Sequence, residues 1–395
     1  MTKPTTIALI EPFDYQPFHS IRQLCGLLAR ELSTAGFEVV SITPTAPLTT
    51  LTTVAPAVQR AVSVFERLTL SPALLRARLT SLEKRARQLK RNFIVLLSDQ
   101  SLGIMAGALS GFKVACFVSD MISVRAAAGD FGQPSSFGRR FVQRATLTGL
   151  HSCDRFITPS RSTQNDLEAF IPGSGMRSSV APLATAHAFS PLATDELTTQ
   201  QNALWRTKNL LPPSYFLHVG SSAWYKNRFG VLHLIAALKK LTPASPALVF
   251  AGAHLTLEEK SLIAEKSLNV LVFENLNATE LNTLYCGAEA LLMPSFIEGF
   301  GWPALEALSC GTPIVITDTS SLAEHFSDAA AAVLPTPSPA ELPAWAAAHA
   351  GSLLDILELS REGRAAIAQQ GISHALRFSA ENFRTALVTA LEPLS

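Results

Sequence analysis

The chain has 395 residues, 48% hydrophobic and 16% charged, with a formal net charge of +1. This composition is typical of a folded globular protein and excludes disordered and fibrous classes, and the length predicts two domains with a cleft between them. The apolar run before Glu11 is too short for a signal peptide, and no stretch approaches the roughly 18 consecutive apolar residues of a membrane span.

Short apolar, β-branched runs alternate with amphipathic helical patterns along both halves of the chain. Each run is apolar on both faces, which is typical of parallel strands covered by helices on two sides. Two such series in tandem predict an α/β protein built from two Rossmann-like, doubly wound parallel-sheet domains. The predicted strands are 7–10, 38–43, 93–97, 114–118, 156–158 and 179–181, then 215–219, 248–251, 270–273, 290–293, 313–317 and 332–334.

Residues 60–91 of the first half are strongly basic. Residues 1–190 carry 20 Lys+Arg and 12 Asp+Glu, whereas the remainder carries 12 and 19. Within 60–91 the basic residues alternate with apolar ones, and Glu66 and Glu83 are the only acidic residues of this stretch. Two interpretations stay open, namely a solvated helical face and a surface that attracts anionic lipid headgroups. Nucleic acid is disfavoured, because this stretch has no Tyr or Trp for base stacking.

The boundary between the domains is predicted from turn residues. Residues 191–212 combine prolines with a polar stretch and show no strong period, so they are interpreted as a linker. The first domain then spans 1–190 and the second 213–378.

The five cysteines are scattered without metal-ligand spacing, so neither a disulfide framework nor a metal site is predicted, and a reduced, cytoplasmic setting is expected.

The segment 298–306 carries the most informative motif. Two glycines form a loop after the predicted strand, and Pro303 begins a predicted helix over 303–310. The loop amides then lie at a helix N-terminus, which is a site for diphosphate or sugar oxygens. Glu298 in the loop and Glu306 about one turn into the helix place two carboxylates nearby, which suits sugar and ribose hydroxyls. The alternative is a plain strand-loop-helix joint with surface glutamates.

This segment resembles the E-x7-E signature of retaining GT-B glycosyltransferases, in particular those of family 4 (group 1). The similarity continues in the flanking segments 276–285, 288–290 and 320–324. The resemblance implies the GT-B fold, with the two Rossmann-like domains facing across a cleft. It also implies that Glu306 binds the donor ribose, and that Glu298 with the Phe300 and Gly301 amides holds the transferred sugar and phosphate.

A second motif follows the predicted strand 215–219. Gly220 makes a turn, Ser221 and Ser222 supply hydroxyls, and Lys226 supplies a positive charge, so these groups can neutralise a departing diphosphate. The family places a lysine here for that role, although many relatives carry an arginine where this chain has Ser221. Outside such a motif, Lys226 would be interpreted as a solvated side chain.

The donor base is expected near Asn275 and Leu276, after the strand 270–273. The full set of predicted donor-binding residues is Gly220, Ser221, Ser222, Lys226, Asn275, Leu276, Glu298, Gly299, Phe300, Gly301 and Glu306.

The first half resembles the family's acceptor domain more loosely. Ser119 and Asp120 align with the family's His-Asp pair, so a serine replaces the histidine that usually contacts the transferred sugar. Asp120 is expected to bind acceptor or donor, with a helix N-cap as the alternative. The loop 12–20 lacks the family's Gly-Gly pair, without which the chain cannot approach a phosphate so closely. The predicted acceptor-side residues are Asp14, His19, Ser119 and Asp120, with Arg22, Asp99 and Gln100 as further candidates.

The C-terminal stretch 377–383 resembles the family's closing helix. About 379–395 is therefore expected to pack on the first domain, and simple capping of the second domain is equally compatible with the sequence.

The resemblance, together with these residues, implies a retaining hexosyltransferase that moves a sugar from a UDP- or GDP-linked donor to an acceptor hydroxyl in polysaccharide, lipopolysaccharide or glycolipid synthesis. The expected catalytic residues are Glu298, Lys226 and Asp120, with no metal and no other cofactor. The expected partners are a sugar or lipid-linked acceptor and the anionic inner face of the plasma membrane, not nucleic acid. Two alternatives stay open: a catalytically silent partner subunit, and a sugar phosphorylase or epimerase on the same architecture.

Overall fold

The computed structural model describes residues 4–13, 19–46, 48, 56–208, 212, 214–242 and 245–395. The chain divides into two compact units, Met1–Ala186 with Ala380–Ser395, and His187–Ser379. Each unit contains a six-stranded sheet in which every pairing is parallel. The predicted α/β class with two doubly wound sheets is confirmed, and the predicted strands occur with ends within two residues of those expected.

The first sheet has the strand order β2-β1-β3-β4-β5-β6. Its strands are β1 Thr5–Ile10, β2 Glu38–Ile42, β3 Asn92–Leu97, β4 Val114–Phe117, β5 Arg155–Thr158 and β6 Ser178–Val180. The helices of this unit are α1 His19–Thr34, α2 Pro56–Leu68, α3 Leu70–Gln88, α4 Ile122–Ala128, α5 Phe137–Leu150 and α6 Arg161–Phe170. Leu75 and Leu79 lie one turn apart on α3, so both face the sheet, where they are buried against Val95 and Leu97 of β3 in one core cluster.

The last helix, α16 (Ala380–Leu391), packs on the first unit. The ring of Phe383 meets that of Phe117 edge to face at a centroid distance of 6.4 Å. Arg384 Nη1 lies 3.2 Å from Glu31 Oε2 on α1. Of the two placements compatible with the sequence, the structure therefore has the one on the first unit.

The second sheet has the order β12-β11-β10-β7-β8-β9. Its strands are β7 Tyr215–Gly220, β8 Ala247–Gly252, β9 Val270–Phe273, β10 Leu291–Met293, β11 Ile314–Thr317 and β12 Ala332–Leu334. Its helices are α7 Thr194–Lys208, α8 Arg228–Leu241, α9 Leu257–Glu265, α10 Ala278–Gly287, α11 Trp302–Ser309, α12 Ser320–Phe326, α13 Leu342–His349, α14 Gly351–Leu357 and α15 Arg361–Ala375. Capping boxes fix the starts of α9, at Thr256 and Glu259, and of α10, at Asn277 and Glu280.

Most of the segment predicted as a linker, 191–212, is the helix α7. This helix packs on α10 within the second unit, and the Thr283 hydroxyl lies within hydrogen-bond distance of Gln200 Oε1. The sequence pattern does not predict this helix, because the helix lacks the wide apolar stripe of an amphipathic helix and contacts its neighbour partly through polar side chains. Within the described residues, no helix combines the length and apolar composition that crossing a bilayer requires.

Candidate functional site

The candidate donor site lies at the carboxyl edge of the second sheet. Strands β10, β7, β8 and β9 are neighbours in that order, so the loops that follow them lie side by side. In doubly wound sheets this edge is where ligands bind, because the strand-to-helix loops bring backbone amides and helix N-termini together there. The loop after β10 carries Glu298, and the loop after β7 carries Lys226.

Glu298 and Lys226 form an ion pair across these two loops. The Lys226 ammonium lies 2.8 Å from Oε1 and 3.0 Å from Oε2 of Glu298. The Ser295 hydroxyl donates a third bond, of 2.7 Å, to Oε1. The side chains of Lys226 and Glu298 are only 14% and 7% exposed. The two residues that the sequence assigns to sugar and phosphate therefore contact each other in a nearly buried setting.

Hydroxyl groups on and before α12 hold the backbone of the Glu298 loop. The Ser320 hydroxyl lies 3.1 Å from both the amide nitrogen and the carbonyl oxygen of Glu298. Ser321 donates a 2.9 Å bond to the same carbonyl. Thr317 and Thr319 donate to the carbonyls of Ser295 and Phe296. This set of bonds fixes the direction in which the Glu298 carboxylate leaves the chain.

The loop after β7 is joined to the loop after β10 through Asn227. Its Nδ2 donates a 2.8 Å bond to the carbonyl of Pro294, and its Oδ1 accepts the amide of Gly230 at the start of α8. Asn227 has φ of 51°, in the left-handed region that asparagine tolerates better than most residues. The amide of Phe296 also donates to the Tyr225 carbonyl, at 2.8 Å. Asn227 thus positions Lys226, its neighbour in the chain.

Helix α11 begins one residue before its predicted start. It spans Trp302–Ser309, one residue earlier at each end than expected. Gly301 precedes it with φ of 106°, and a Cβ atom there would lie 2.6 Å from Leu322 Cδ2, so only glycine fits. The Phe300 side chain is buried against the ring of Phe378, so only its backbone remains as a group for a ligand. Gly299, Phe300 and Gly301 therefore form the predicted amide-bearing loop at a helix N-terminus.

Glu306 lies inside α11 and is 7% exposed. The Tyr285 hydroxyl donates a 2.8 Å bond to its Oε2. Burial raises the pKa of Glu306 to about 7, although the Tyr285 bond and the charge of Lys226 act in the opposite direction. Near neutral pH this carboxyl is divided between its two protonation states, so a ligand that hydrogen-bonds to one form will favour that form.

The remaining predicted donor residues lie along the same edge. Gly220 is the last residue of β7. The aliphatic part of the Lys226 side chain passes over it, so that a Cβ atom added at Gly220 would lie 3.5 Å from Lys226 Cδ. Ser221 and Ser222 are exposed in the following loop. Asn275 and Leu276 follow β9, three strands along the sheet from β10, or roughly 14 Å at the usual strand spacing.

A cavity of about 490 Å³ lies beside the ends of β8 and β9. The sequence did not predict it, because its lining comes from two loops, a helix and the end of β9, whose residues share no motif. The lining residues are His254, Leu255, Lys260, Val272, Phe273 and Glu274.

In the first unit, the Ser119 side chain joins a partly buried polar cluster. Its hydroxyl lies 2.9 Å from Asp99 Oδ2 and 3.1 Å from Gln100 Oε1, and its amide donates to the same Gln100 oxygen. Asp99 is 1% exposed, and burial raises its pKa. The structure thus brings together three candidates that the sequence places on two different strand ends.

Asp120 accepts the amide of Ile122, the first residue of α4, at 2.9 Å. Met121 is the N-cap of α4 and has no side-chain cap bond, so Asp120 contacts the start of the helix from one residue before the cap and is not the N-cap of the alternative interpretation. His19 is the first residue of α1, and Arg22 lies in the same helix. Asp14 falls outside the described residues.

Two family models match this chain, one in each half. The model described as "Glycosyltransferase Family 4" matches residues 23–182, and the model described as "Glycosyl transferases group 1" matches residues 201–350. Together they account for most of the chain.

Curated relatives with similar sequences include two O-antigen enzymes. The O-antigen chain mannosyltransferase B of Escherichia coli is 25% identical over 263 residues, which are 65% of this chain and 65% of the relative. The O-antigen chain mannosyltransferase RfbU of Salmonella typhimurium is 31% identical over 126 residues, which are 31% of this chain and 35% of the relative. The matches thus span less than two thirds of either relative.

Solved structures share the fold over nearly the whole chain. Sucrose-phosphate synthase from Thermosynechococcus elongatus has a TM-score of 0.71 at 18% identity and covers 99% of both chains. Anabaena Alr3699/HepE in complex with UDP and glucose has a TM-score of 0.67 at 14% identity and covers 98% of both. At such identities the likeness shows the fold alone. With a family model matched in each half and the GT-B fold throughout, the chain belongs to the group 1, family 4 glycosyltransferases.

Proposed function

We propose that this protein transfers a hexosyl group from a nucleoside-diphosphate sugar to an acceptor hydroxyl with retention of the anomeric configuration. The observation that carries the proposal is the Lys226–Glu298 pair, 2.8 Å apart at the carboxyl edge of the second sheet. An ammonium and a carboxylate at the mouth of a helix N-terminus fit a diphosphate and a sugar ring, respectively. HepE, which shares the fold, is described in complex with UDP and glucose, and this supports a nucleotide ligand.

In the proposed reaction, Lys226 binds the diphosphate and neutralises the charge that develops as it departs. The amides of residues 299–302 bind the phosphate or sugar oxygens, and Glu298 accepts hydrogen bonds from sugar hydroxyls. The bond between the anomeric carbon and the diphosphate oxygen breaks. The acceptor oxygen forms its bond to the anomeric carbon on the face of the sugar from which the diphosphate leaves. The acceptor proton passes to the departing phosphate oxygen. This chemistry calls for no metal or other cofactor, because Lys226 and the amides meet the charge.

Glu306 is proposed to bind the donor ribose rather than to act as an acid or base in hydrolysis. Its Oε2 accepts a hydrogen bond from the buried Tyr285 hydroxyl. This bond comes from the protein itself, so it orients the carboxyl before the substrate binds. The two acidic residues of a glycosidase flank the scissile bond. Glu298 and Glu306 instead lie on the donor side, each with a partner that fixes its direction.

The acceptor is proposed to be a sugar of a growing polysaccharide or a lipid-linked glycan. The two curated relatives are named O-antigen chain mannosyltransferases, which makes a mannosyl donor and a mannose-terminated acceptor the first substrates to test. Ser119 and Asp120, at the carboxyl edge of the first sheet, are the proposed acceptor-side groups.

We place the reaction at an anionic membrane surface on the cytoplasmic side. On α5 the side chains of Phe137 and Phe141 are 80% and 46% exposed and lie one turn apart. The exposed Arg139, Arg140 and Arg144 accompany them, and residues 131–153 contain no Asp or Glu. Exposed aromatic rings beside unopposed cations fit a bilayer interface.

Vesicle flotation tests this surface. The protein is expected to float with phosphatidylcholine vesicles that contain phosphatidylglycerol, and not with phosphatidylcholine alone. Replacing Phe137 and Phe141 by serine should abolish flotation, whereas Leu257→Ser, at a 79% exposed site beside two glutamates, should not. Equal flotation of all three proteins would contradict the proposal.

The catalytic proposal is tested with a panel of nucleoside diphosphates and nucleotide sugars. Donor binding should raise the melting temperature, since a ligand that binds only the folded state stabilises it. Transfer to mannose-terminated acceptors is then followed by mass spectrometry for the wild type, Lys226→Ala and Glu306→Ala. Activity that survives both changes would contradict the assignment.

The same panel separates the alternatives. A silent partner subunit would bind no nucleotide or would bind it without transfer, and a phosphorylase would require inorganic phosphate for turnover.

A further inference from the structure

The lining of the cavity beside β8 and β9 combines apolar and charged groups that suit a nucleobase, and the inference drawn from it rests on the proposed function. Its volume is about 490 Å³. Leu255 and Val272 supply apolar side chains to the lining, whereas Glu274 and Lys260 supply one negative and one positive charge. A flat, apolar ring with polar groups on its edge fits such a lining.

The loop that forms one side of this cavity is held from within the core. Arg228 is 3% exposed, and its Nη1 lies 3.2 Å from the carbonyl of Ala253 and 3.4 Å from that of His254. Arg228 also forms an ion pair with Glu259, with Nε 3.1 Å from Oε1, and its guanidinium lies 4.3 Å from the Phe250 ring centroid. The cavity wall is thus built before any ligand arrives, which lowers the entropic cost of binding.

Glu274 is the acid of this lining, and its side chain is 25% exposed. Its Oε1 is shielded from solvent and contacts the imidazole of His254. The His254 side chain is 89% exposed, so the ring can rotate into solvent at little loss of buried surface. A ligand with suitable donors can therefore replace His254 at the carboxylate.

An ionised carboxylate only accepts hydrogen bonds, and it accepts two parallel ones best. Guanine presents two neighbouring donors, N1–H and the N2 amino group, beside the O6 acceptor. Uracil presents one donor between two carbonyl oxygens, which would repel Glu274. The ammonium of Lys260 provides a donor for O6. We infer that the cavity lined by Glu274 and Lys260 selects guanine, so that the donor is a GDP-linked sugar.

The position of the cavity agrees with this assignment. It lies at the ends of β8 and β9, whereas Lys226 and Glu298 follow β7 and β10 on the same edge. A base at β9 and a sugar at β10 are separated by three strand spacings, roughly 14 Å, and the ribose and diphosphate would cross the strands between them.

Isothermal titration with GDP, UDP and inosine diphosphate tests the inference on the unchanged protein. Inosine diphosphate keeps N1–H and O6 but lacks the N2 amino group. We expect GDP to bind about 10-fold or more tighter than inosine diphosphate, and UDP to bind more weakly than either.

The variant Glu274→Gln places an amide donor against the donors of guanine. It should weaken GDP binding by about 10- to 100-fold and remove most of the preference over inosine diphosphate, while UDP should bind more tightly than it does to the wild type, because the neutral amide no longer repels the uracil carbonyls. Glu258→Gln, an exposed change at the start of α9, is the matched control and should bind GDP as the wild type does.

The outcomes separate the two levels of the argument. If UDP binds tighter than GDP and Glu274→Gln leaves that ratio unchanged, guanine selection is overturned while the proposed transferase function stands. If no nucleoside diphosphate binds to the wild type, the proposed function itself fails. The comparison of GDP with inosine diphosphate uses only the wild type, so it decides the question even if Glu274→Gln does not fold.

Discussion

Glu306 makes the stability of the fold depend on pH in a direction that can be calculated. Burial raises its pKa from 4.5 to about 7. Between these values the folded state binds more protons than the unfolded state, so the free energy of unfolding falls as the pH rises. A difference of 2.5 between the two pKa values corresponds to about 3 kcal/mol, at ~1.36 kcal/mol for each tenfold change in proton affinity. This loss begins above pH 4.5 and is complete above pH 7.

Glu306→Gln removes this dependence, because the glutamine amide is neutral at every pH and can still accept the Tyr285 hydroxyl. Urea unfolding at pH 5 and pH 8 measures the effect. Between these values the wild type should lose about 2–3 kcal/mol relative to Glu306→Gln. The control is Glu341→Gln, which removes one negative charge from an exposed turn. Parallel stability curves for the wild type and Glu306→Gln would refute the reasoning.

Three further changes test the loops around the site. Lys226→Ala should lower kcat by about 10²- to 10³-fold in a transfer assay and change nucleotide affinity much less, because its charge acts most on the departing diphosphate. Asn227→Ala removes two hydrogen bonds and a residue suited to φ of 51°, so urea unfolding should show a loss of about 2–3 kcal/mol. Gly301→Ala should abolish donor-induced thermal stabilisation, because its Cβ would lie 2.6 Å from a side-chain carbon, whereas Gly351→Ala meets open space and should retain it.

The fold could be predicted largely from the sequence, because a buried parallel strand needs a short apolar run whatever surrounds it. The strands β7 and β8 are such runs, and their ends fall within one residue of the prediction. Helix α7 was not predicted, because its sequence TDELTTQQNALWRTK has no wide apolar face. Its partner α10 lies about 80 residues away in the chain, and only the tertiary structure brings Gln200 to Thr283.

The candidate site divides in the same way. Lys226, Glu298 and Glu306 belong to local motifs in which loop glycines, a proline and charged residues keep a fixed spacing, so a sequence is enough to find them. Ser295 and Tyr285 bond to the two carboxylates, but nothing in their neighbourhood marks them for that task. The cavity beside β8 and β9 is a further case, because its residues meet only when the two strands lie side by side.

The Lys226–Glu298 pair has a consequence for the order of donor affinities. A diphosphate that binds Lys226 must take the place of Glu298, whose side chain is only 7% exposed. A buried carboxylate that loses its cation costs about 3–5 kcal/mol unless other donors replace it. Ser295 supplies one such donor, and sugar hydroxyls would supply the others.

A nucleotide sugar should therefore bind the wild type more tightly than the corresponding nucleoside diphosphate, although the sugar adds little apolar surface. Glu298→Gln removes the buried charge, so it should strengthen binding of the free nucleoside diphosphate and reduce the preference for the nucleotide sugar. Calorimetric titration of both ligands into both proteins measures this. If the two ligands bind the wild type with equal affinity, the sugar hydroxyls do not replace Lys226 as the hydrogen-bond donors to Glu298.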